Sequence, residues 1–222
     1  MKNKMLMKTA AFLLVFAGLT AAAFGQITIS GGFALSSATL KYTDTGAVEQ
    51  TDAIGIGGNV YLDYLLPISI PLSLGFEIGV DSASTEASDG FKDDILAVPL
   101  LVRVAYHFDL MPRLDLYAVG KIGYAFGSWS GDTYDWINEN DGVNYRGYKT
   151  TGPSGFAFGF DVGAAYYFTP TIGVFIEAGF DRYSLNAETT GEYAEGYGWA
   201  SEKIEVELPF TRFLTFGIST KF

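Results

Sequence analysis

The most regular feature of the sequence is an alternation of apolar and polar residues with a period of two. In seven segments the even-numbered positions are mostly apolar, and Arg212 is the single charged residue among them. The odd-numbered positions are rich in glycine and carry the other charges of these segments. This alternation predicts β-strands, because successive side chains of a strand point to opposite faces of its sheet. The segments are residues 54–66, 72–80, 96–108, 114–126, 156–168, 172–180 and 210–222.

An eighth strand, over residues 27–42, alternates less regularly, and we expect a β-bulge in it near Ser36 and Ser37. Short and long links follow each other in turn, which is typical of an up-and-down meander, and an even number of strands lets the sheet close on itself. The sequence therefore predicts an all-β protein, an eight-stranded antiparallel up-and-down β-barrel. The short links are 67–71, 109–113 and 169–170, and the long polar links are 43–52, 82–94, 128–154 and 184–202.

Alternation alone leaves open which face lies inside the barrel. A soluble barrel has an apolar interior, whereas a barrel in lipid has an apolar outer band and a polar interior. Here the second face mixes glycines with acids and bases, which can pair inside a narrow lumen. We therefore interpret the fold as a transmembrane β-barrel with the odd-numbered residues inside. Arg212 is then expected on the lipid side, near an interface where its long side chain can snorkel.

The first 25 residues have the parts of a secretory signal peptide. Three lysines in the first eight residues precede a mostly apolar stretch over 9–23, which ends in small residues suited to a cleavage site. We predict cleavage before Gln26, with cleavage two residues earlier and an uncleaved anchor helix as the alternatives. The predicted domains are thus a signal peptide over residues 1–25 and a barrel over residues 26–222. A signal peptide also favours the membrane barrel.

Composition narrows the function classes. A net charge of −11 excludes a nucleic-acid binder that depends on a basic surface. The absence of cysteine removes thiol catalysis and Cys-based zinc sites, and a single histidine removes a His-rich metal site. The acidic links lack the ligand order of an EF-hand loop, so solvated surface charge is favoured over a divalent-cation site. We predict no catalytic residues, no metal and no cofactor.

The charged face suggests one candidate site. Glu77, Arg103, Lys121, Asp161 and Glu177 lie at similar distances from the short links, so we expect them to form one ionic layer inside the lumen. One interpretation is a charged constriction or gate that controls a channel. The other, which we favour, is a paired ionic plug that fills the lumen, because buried charges must be paired.

His107 is the candidate for acid–base chemistry. It faces inward near the end of its strand, and nucleophilic catalysis there requires a serine and a carboxylate close to the imidazole. No serine occurs in the adjacent link, 109–113. We therefore expect His107 to have no catalytic role and the protein not to be an enzyme.

The C-terminal residues 215–222 carry Gly217 and end in Phe222. They resemble the assembly signal of outer-membrane barrels, although Thr220 stands where a hydrophobic residue is usual. The chain after residue 25 resembles the small eight-stranded outer-membrane proteins typified by OmpA, OmpX and OmpW. The resemblance implies an outer-membrane location, extracellular loops and periplasmic mature termini. It also implies a monomer whose partners are outer-membrane lipid, periplasmic chaperones and the barrel-assembly machinery.

Two functions remain open from the sequence. One is a structural or surface-interaction protein that displays four long acidic extracellular loops. The alternative, implied by the resemblance to OmpW, is a narrow channel for small hydrophobic molecules. An eight-stranded barrel is only just wide enough to be filled by its side chains, which makes a broad pore implausible. Apolar residues on the predicted inner face are the reason to retain the narrow channel as an interpretation. They are Leu65, Ile95, Pro99, Leu101, Phe175 and Phe213.

Overall fold

The computed structural model describes residues 26–44, 47–86, 92–111, 113–131, 136–137, 144–150, 152–195 and 198–222, so the predicted signal peptide lies outside the described residues. Within these ranges no helix is long and apolar enough to span a membrane. The strands are β1 (Gln26–Asp44), β2 (Ala47–Leu65), β3 (Leu72–Glu86), β4 (Lys92–Met111), β5 (Leu114–Gly131), β6 (Trp136–Ile137), β7 (Asn144–Thr150), β8 (Ser154–Tyr167), β9 (Ile172–Glu195) and β10 (Gly198–Lys221).

Eight long strands form one closed antiparallel barrel. Their order around it is β1–β2–β3–β4–β5–β8–β9–β10, and β10 pairs with both β9 and β1, which closes the sheet. The two short strands, β6 and β7, form a hairpin in the connection between β5 and β8, and β7 also pairs with β9. The predicted eight-stranded antiparallel barrel is confirmed.

One end of the barrel, called here the short-turn end, carries the brief connections that the sequence predicts. Residues 66–71 join β2 to β3, residues 112–113 join β4 to β5, and residues 168–171 join β8 to β9. Gln26 pairs with Leu65, beside the first of these turns, and β10 finishes next to the start of β1. The beginning of β1 and the end of β10 therefore lie at the short-turn end.

The opposite end differs from the expected set of four long loops. β1 and β2 are separated by two residues, as are β9 and β10, so the segments 43–52 and 184–202 are mostly strand. The segment 82–94 is strand on both sides of residues 87–91, while 128–154 keeps a long connection that contains β6 and β7. The sequence does not reveal these strands because their mostly polar residues lack a regular alternation of apolar and polar positions.

The two faces of the barrel differ in the predicted sense. Outward-facing residues of the alternating segments are apolar and exposed; Phe76 is 65% exposed and Val102 is 37% exposed. Residues at the alternate positions of the same strands face inward; among them, Glu77 and Arg103 are buried. A closed barrel with an apolar outer belt is stable in lipid, where a cation at the bilayer midplane costs about 2–4 kcal/mol.

The prediction that Arg212 faces lipid is wrong. A bulge at Phe213 shifts the register of β10 against β1, so that even-numbered residues of β10 face inward before the bulge and odd-numbered residues after it. Arg212 is therefore 2% exposed inside the lumen, and Phe213, expected inside, is 44% exposed. The β-bulge expected in β1 near Ser36 lies in β10 instead. Leu35 and Ser36 are consecutive and pair with Leu214 and Arg212, which leaves Phe213 as the extra residue.

Side chains pack against each other in the lumen on both sides of its charged middle. An upper apolar cluster lies toward the end opposite the short turns, and a lower aromatic cluster lies toward the short-turn end. The upper apolar cluster comprises Ala38, Ala83, Ile95, Ala97, Leu101, Ala125, Ala157, Tyr183, Leu185, Ala187, Leu208 and Phe210. The lower aromatic cluster comprises Tyr61, Ala105, Tyr117, Val119, Ala165, Tyr167 and Phe175.

Replacing Val102 by Arg should impair folding into lipid vesicles far more than Ile68→Arg in the exposed turn 66–71. Val102 faces outward between Phe76 and Ile122 on the neighbouring strands. An arginine at this position in the apolar belt therefore destabilises the folded barrel by about 2–4 kcal/mol. The measurement is the fraction of unheated protein that migrates as folded barrel on a gel after dilution from urea. Equal folded fractions for the two variants would contradict the assignment of faces.

Candidate functional site: the charged lumen

Glycines on the inner face make room for the charged side chains. In four cross-strand pairs an inward-facing aspartate lies directly opposite a glycine. A Cβ atom at any of these glycines would press against a carboxylate oxygen of the aspartate opposite it. Each glycine thus provides the space into which its partner's carboxylate folds. The pairs are Asp63–Gly75, Asp81–Gly57, Asp161–Gly179 and Asp181–Gly159.

Arg103 of β4 reaches across the lumen to three carboxylates. Its guanidinium nitrogens lie 2.6 Å from a carboxylate oxygen of Glu77 on β3 and 2.6 Å from one of Glu177 on β9. Its Nε donates to Asp63 of β2 at 3.3 Å. The guanidinium carbon also lies 3.7 Å from the ring centroid of Tyr61. One side chain therefore connects strands on opposite sides of the barrel.

Lys121 of β5 binds a second group of acids. Its Nζ lies 2.6 Å from Asp161 and 2.8 Å from Asp181, both carboxylate oxygens. The same ammonium is 3.3 Å from Glu77 and 3.4 Å from Glu177, the two glutamates that Arg103 contacts. Lys121 and Arg103 thus share both glutamates and belong to one network.

Arg212 of β10 completes the network from the closing strand. Its guanidinium lies 2.5 Å from Glu77 and 2.7 Å from Asp81, and 3.7 Å from Asp181. Its Cζ is 5.8 Å from the ring centroid of Tyr183, at the edge of the upper apolar cluster. The ion pairs therefore extend as far as the upper apolar cluster.

The ionic layer, as we call these nine side chains, holds three cations and six acids, so the acids outnumber the cations by three. All nine are buried. Breaking a buried pair by removing one partner typically costs about 3–5 kcal/mol, because it leaves a charge that is neither solvated nor paired. The arrangement suits a structural plug.

The structure brings together all five residues of the predicted layer, Glu77, Arg103, Lys121, Asp161 and Glu177. It adds Asp63, Asp81, Asp181 and Arg212. The three aspartates occupy odd-numbered positions within or directly after the alternating segments, so the sequence already places them on the charged face. Strands of a barrel tilt and stagger, so counting residues from a turn does not give a side chain's level in the lumen. The inward position of Arg212 could not be predicted from the alternation, because the bulge at Phe213 reverses which residues of β10 face inward.

A second polar group lies at the short-turn end, on β3, β4 and β5. His107 Nε2 is 3.0 Å from Ser73 Oγ, and its Nδ1 is 2.9 Å from Asp115 Oδ1. The absence of a serine from the link 109–113 therefore does not exclude a serine beside His107. The adjacent link lacks one, but pairing of β3 with β4 supplies Ser73 from 34 residues away in the sequence.

Of the predicted assembly-signal residues, Gly217 lies on β10 and Phe222 follows directly after it. Gly217 pairs with Gly32 of β1, and a Cβ at Gly217 would press against the backbone of Gly31 and Gly32. The backbone N–H of Phe222 donates to the carbonyl oxygen of Ile27 at 2.8 Å, and the Phe222 side chain is exposed. Within the described ranges no group of three His, Asp or Glu side chains is placed to hold a metal ion.

Comparison with known proteins agrees with this architecture. Residues 9–202 match the family described as outer membrane protein beta-barrel domain. A major outer membrane protein from Thermus thermophilus has a similar structure, with a TM-score of 0.52, 15% identity, and coverage of 86% of this chain and 99% of that one. At this identity the likeness concerns the fold. No match is found among curated proteins.

Two further structures are similar at lower scores. The outer membrane protein OprG from Pseudomonas aeruginosa has a TM-score of 0.47 and 16% identity, with coverage of 89% of this chain and 96% of that one. The outer membrane protease OmpT from Escherichia coli has a TM-score of 0.48 and 12% identity, with coverage of 89% and 97%. On the family match, which spans most of the sequence, the chain belongs to the outer membrane protein beta-barrel domain family and is a protein of the outer membrane.

Proposed function

We propose that the protein is a closed, non-conducting barrel with a structural or surface-interaction role. The observation that carries this proposal is the ionic layer: Arg103, Lys121 and Arg212 are buried and paired across the lumen. The upper apolar cluster and the lower aromatic cluster pack on either side of it and narrow the lumen. Such a barrel resists collapse and does not leak. It also holds in a fixed position the strand ends that lie opposite the short turns.

The long strands support a role at the cell surface. A transmembrane strand needs about 9–11 residues, whereas β9 and β10 have 24 residues each. Their extra length forms a paired sheet that stands beyond the apolar belt on the side opposite the short turns. We propose that this side is extracellular and presents its acidic residues to a partner, with the short turns and both mature termini in the periplasm.

The same arrangement weighs against the alternative of an OmpW-like channel for small hydrophobic molecules. A solute moving along the barrel axis would have to pass nine buried charged side chains and then the upper apolar cluster. For biogenesis we propose that the barrel-assembly machinery reads Gly217 and Phe222 at the C-terminal end of the chain, that periplasmic chaperones deliver the chain, and that the folded barrel is a monomer.

Planar-bilayer recordings test the closed barrel. The unmodified protein should give no stable conductance steps above those of a protein-free bilayer. The double variant Arg103→Ala with Lys121→Ala should conduct and favour cations, because six carboxylates then face the single cation Arg212. Arg182→Ala, at an exposed position opposite Phe158, is the matched control and should stay silent. Stable steps from the unmodified protein would refute the proposal and favour the channel.

Urea unfolding in lipid vesicles tests the plug. Arg103→Met should lower the free energy of unfolding by about 3–5 kcal/mol, because Glu77 and Glu177 each lose a cation at 2.6 Å while staying buried. Adding Glu177→Gln should recover about 0.5–3 kcal/mol of that loss, as expected for two groups in direct contact. Strictly additive effects of the two substitutions would show that the pair does not act as a unit.

A further inference from the structure

A cavity at the short-turn end contains the serine, histidine and aspartate described above. Its volume is about 70 Å³, and Ser73, His107 and Asp115 all line it. One water molecule needs about 10–15 Å³ of such space, so the cavity admits a group of several heavy atoms. The ionic layer does not use these three residues, and the closed-barrel proposal does not depend on them.

The register of β3, β4 and β5 produces this arrangement. Ser73 pairs with Ala105, two positions before His107, and Asp115 lies two positions from Tyr117, the residue opposite His107. Inward side chains on neighbouring strands that are offset by two positions are close enough for a long side chain to bridge them. The imidazole therefore spans from the serine on one strand to the carboxylate on another.

Hydrogen bonding fixes the imidazole in one tautomer. An ionised carboxylate can only accept hydrogen bonds, so Nδ1 of His107 must be the donor toward Asp115. In neutral imidazole Nε2 is then the acceptor, and the Ser73 hydroxyl donates to it. The backbone N–H of His107 donates to the Pro71 carbonyl at 2.9 Å, which anchors the strand beside the turn. Serine, base and orienting carboxylate thus have the relationships of a nucleophilic triad.

We propose that Ser73, His107 and Asp115 form a hydrolytic site for small esters with a short acyl group. The Ser73 Oγ attacks the ester carbonyl carbon while its proton moves to His107 Nε2. The alkoxide leaves with that proton as an alcohol, and the acyl group remains as an ester on Ser73. Water then attacks this ester, again giving a proton to His107, and the carboxylic acid leaves as Ser73 recovers its proton.

The walls of the cavity fit this chemistry. Apolar side chains of Leu65 and Ala165 line it and can contact a short acyl chain. The backbone N–H groups of a barrel are used in strand pairing, so donors for a developing oxyanion must come from side chains. Thr28 and Lys221 supply a hydroxyl and an ammonium in the same lining. Lys221 also lies 3.4 Å from Asp115, which ties the closing strand to the triad.

The test uses the full barrel folded in detergent micelles. A dialkyl fluorophosphate should phosphorylate Ser73 with loss of fluoride, and peptide mass spectrometry locates the adduct. Hydrolysis of p-nitrophenyl acetate should fall on the order of 10²-fold in Ser73→Ala and in His107→Gln, because each removes a member of the triad. Ser36→Ala, a substitution of a buried inward serine outside the cavity lining, is the matched control and should keep the full rate.

Folding of each variant is checked by its gel mobility before heating, so loss of hydrolysis is scored in folded barrels alone. An adduct on Ser73 of the unmodified protein supports the site even if a variant does not fold. No adduct on Ser73, or equal hydrolysis by the unmodified protein and folded Ser73→Ala, would overturn the proposal and leave the three residues as a structural hydrogen-bond network. Neither result bears on conductance, so the closed barrel stands or falls separately.

Discussion

A charge taken out of water must be paired, and the interior of this barrel is arranged around that requirement. Nine ionisable side chains share a lumen from which solvent is largely excluded, and each cation contacts more than one acid. Arg103 and Lys121 hold the same two glutamates from different strands. The pairs thereby fix the separation and level of strands that have no backbone contact with each other, which hydrogen bonds between neighbours cannot do.

The glycines opposite the aspartates are the structural counterpart of this charge pairing. A barrel of eight strands has little interior volume, and a larger residue at Gly75 or Gly159 would displace a carboxylate from its cation. Charge and space are therefore matched pair by pair across the strands. This gives the inner face its mixture of the smallest residue with charged ones, a composition that an ordinary hydrophobic core would not tolerate.

Much of the fold follows from the sequence, because lipid imposes period-two alternation wherever a strand crosses it. The strands through the apolar belt, the short turns and the inner face were predictable on that basis. The extensions of β9 and β10 were not, because their mostly polar residues lack a regular apolar and polar alternation. For the ionic layer, sequence shows which side chains face inward; partners such as Asp181 depend on tilt and stagger. Ser73 was missed because its neighbour His107 lies on another strand.

The bulge at Phe213 reverses which residues of β10, even-numbered or odd-numbered, face the lumen. Before it, the strand turns Phe210 and Arg212 toward the lumen; after it, the strand turns Phe216 and Ile218 toward lipid. The number of residues between these halves decides which side chain meets which medium, whereas the identity of most outward residues matters less. Over evolutionary time this strand should accept conservative replacements of its apolar side chains but not insertions or deletions, because a change of one residue would send a guanidinium into the bilayer.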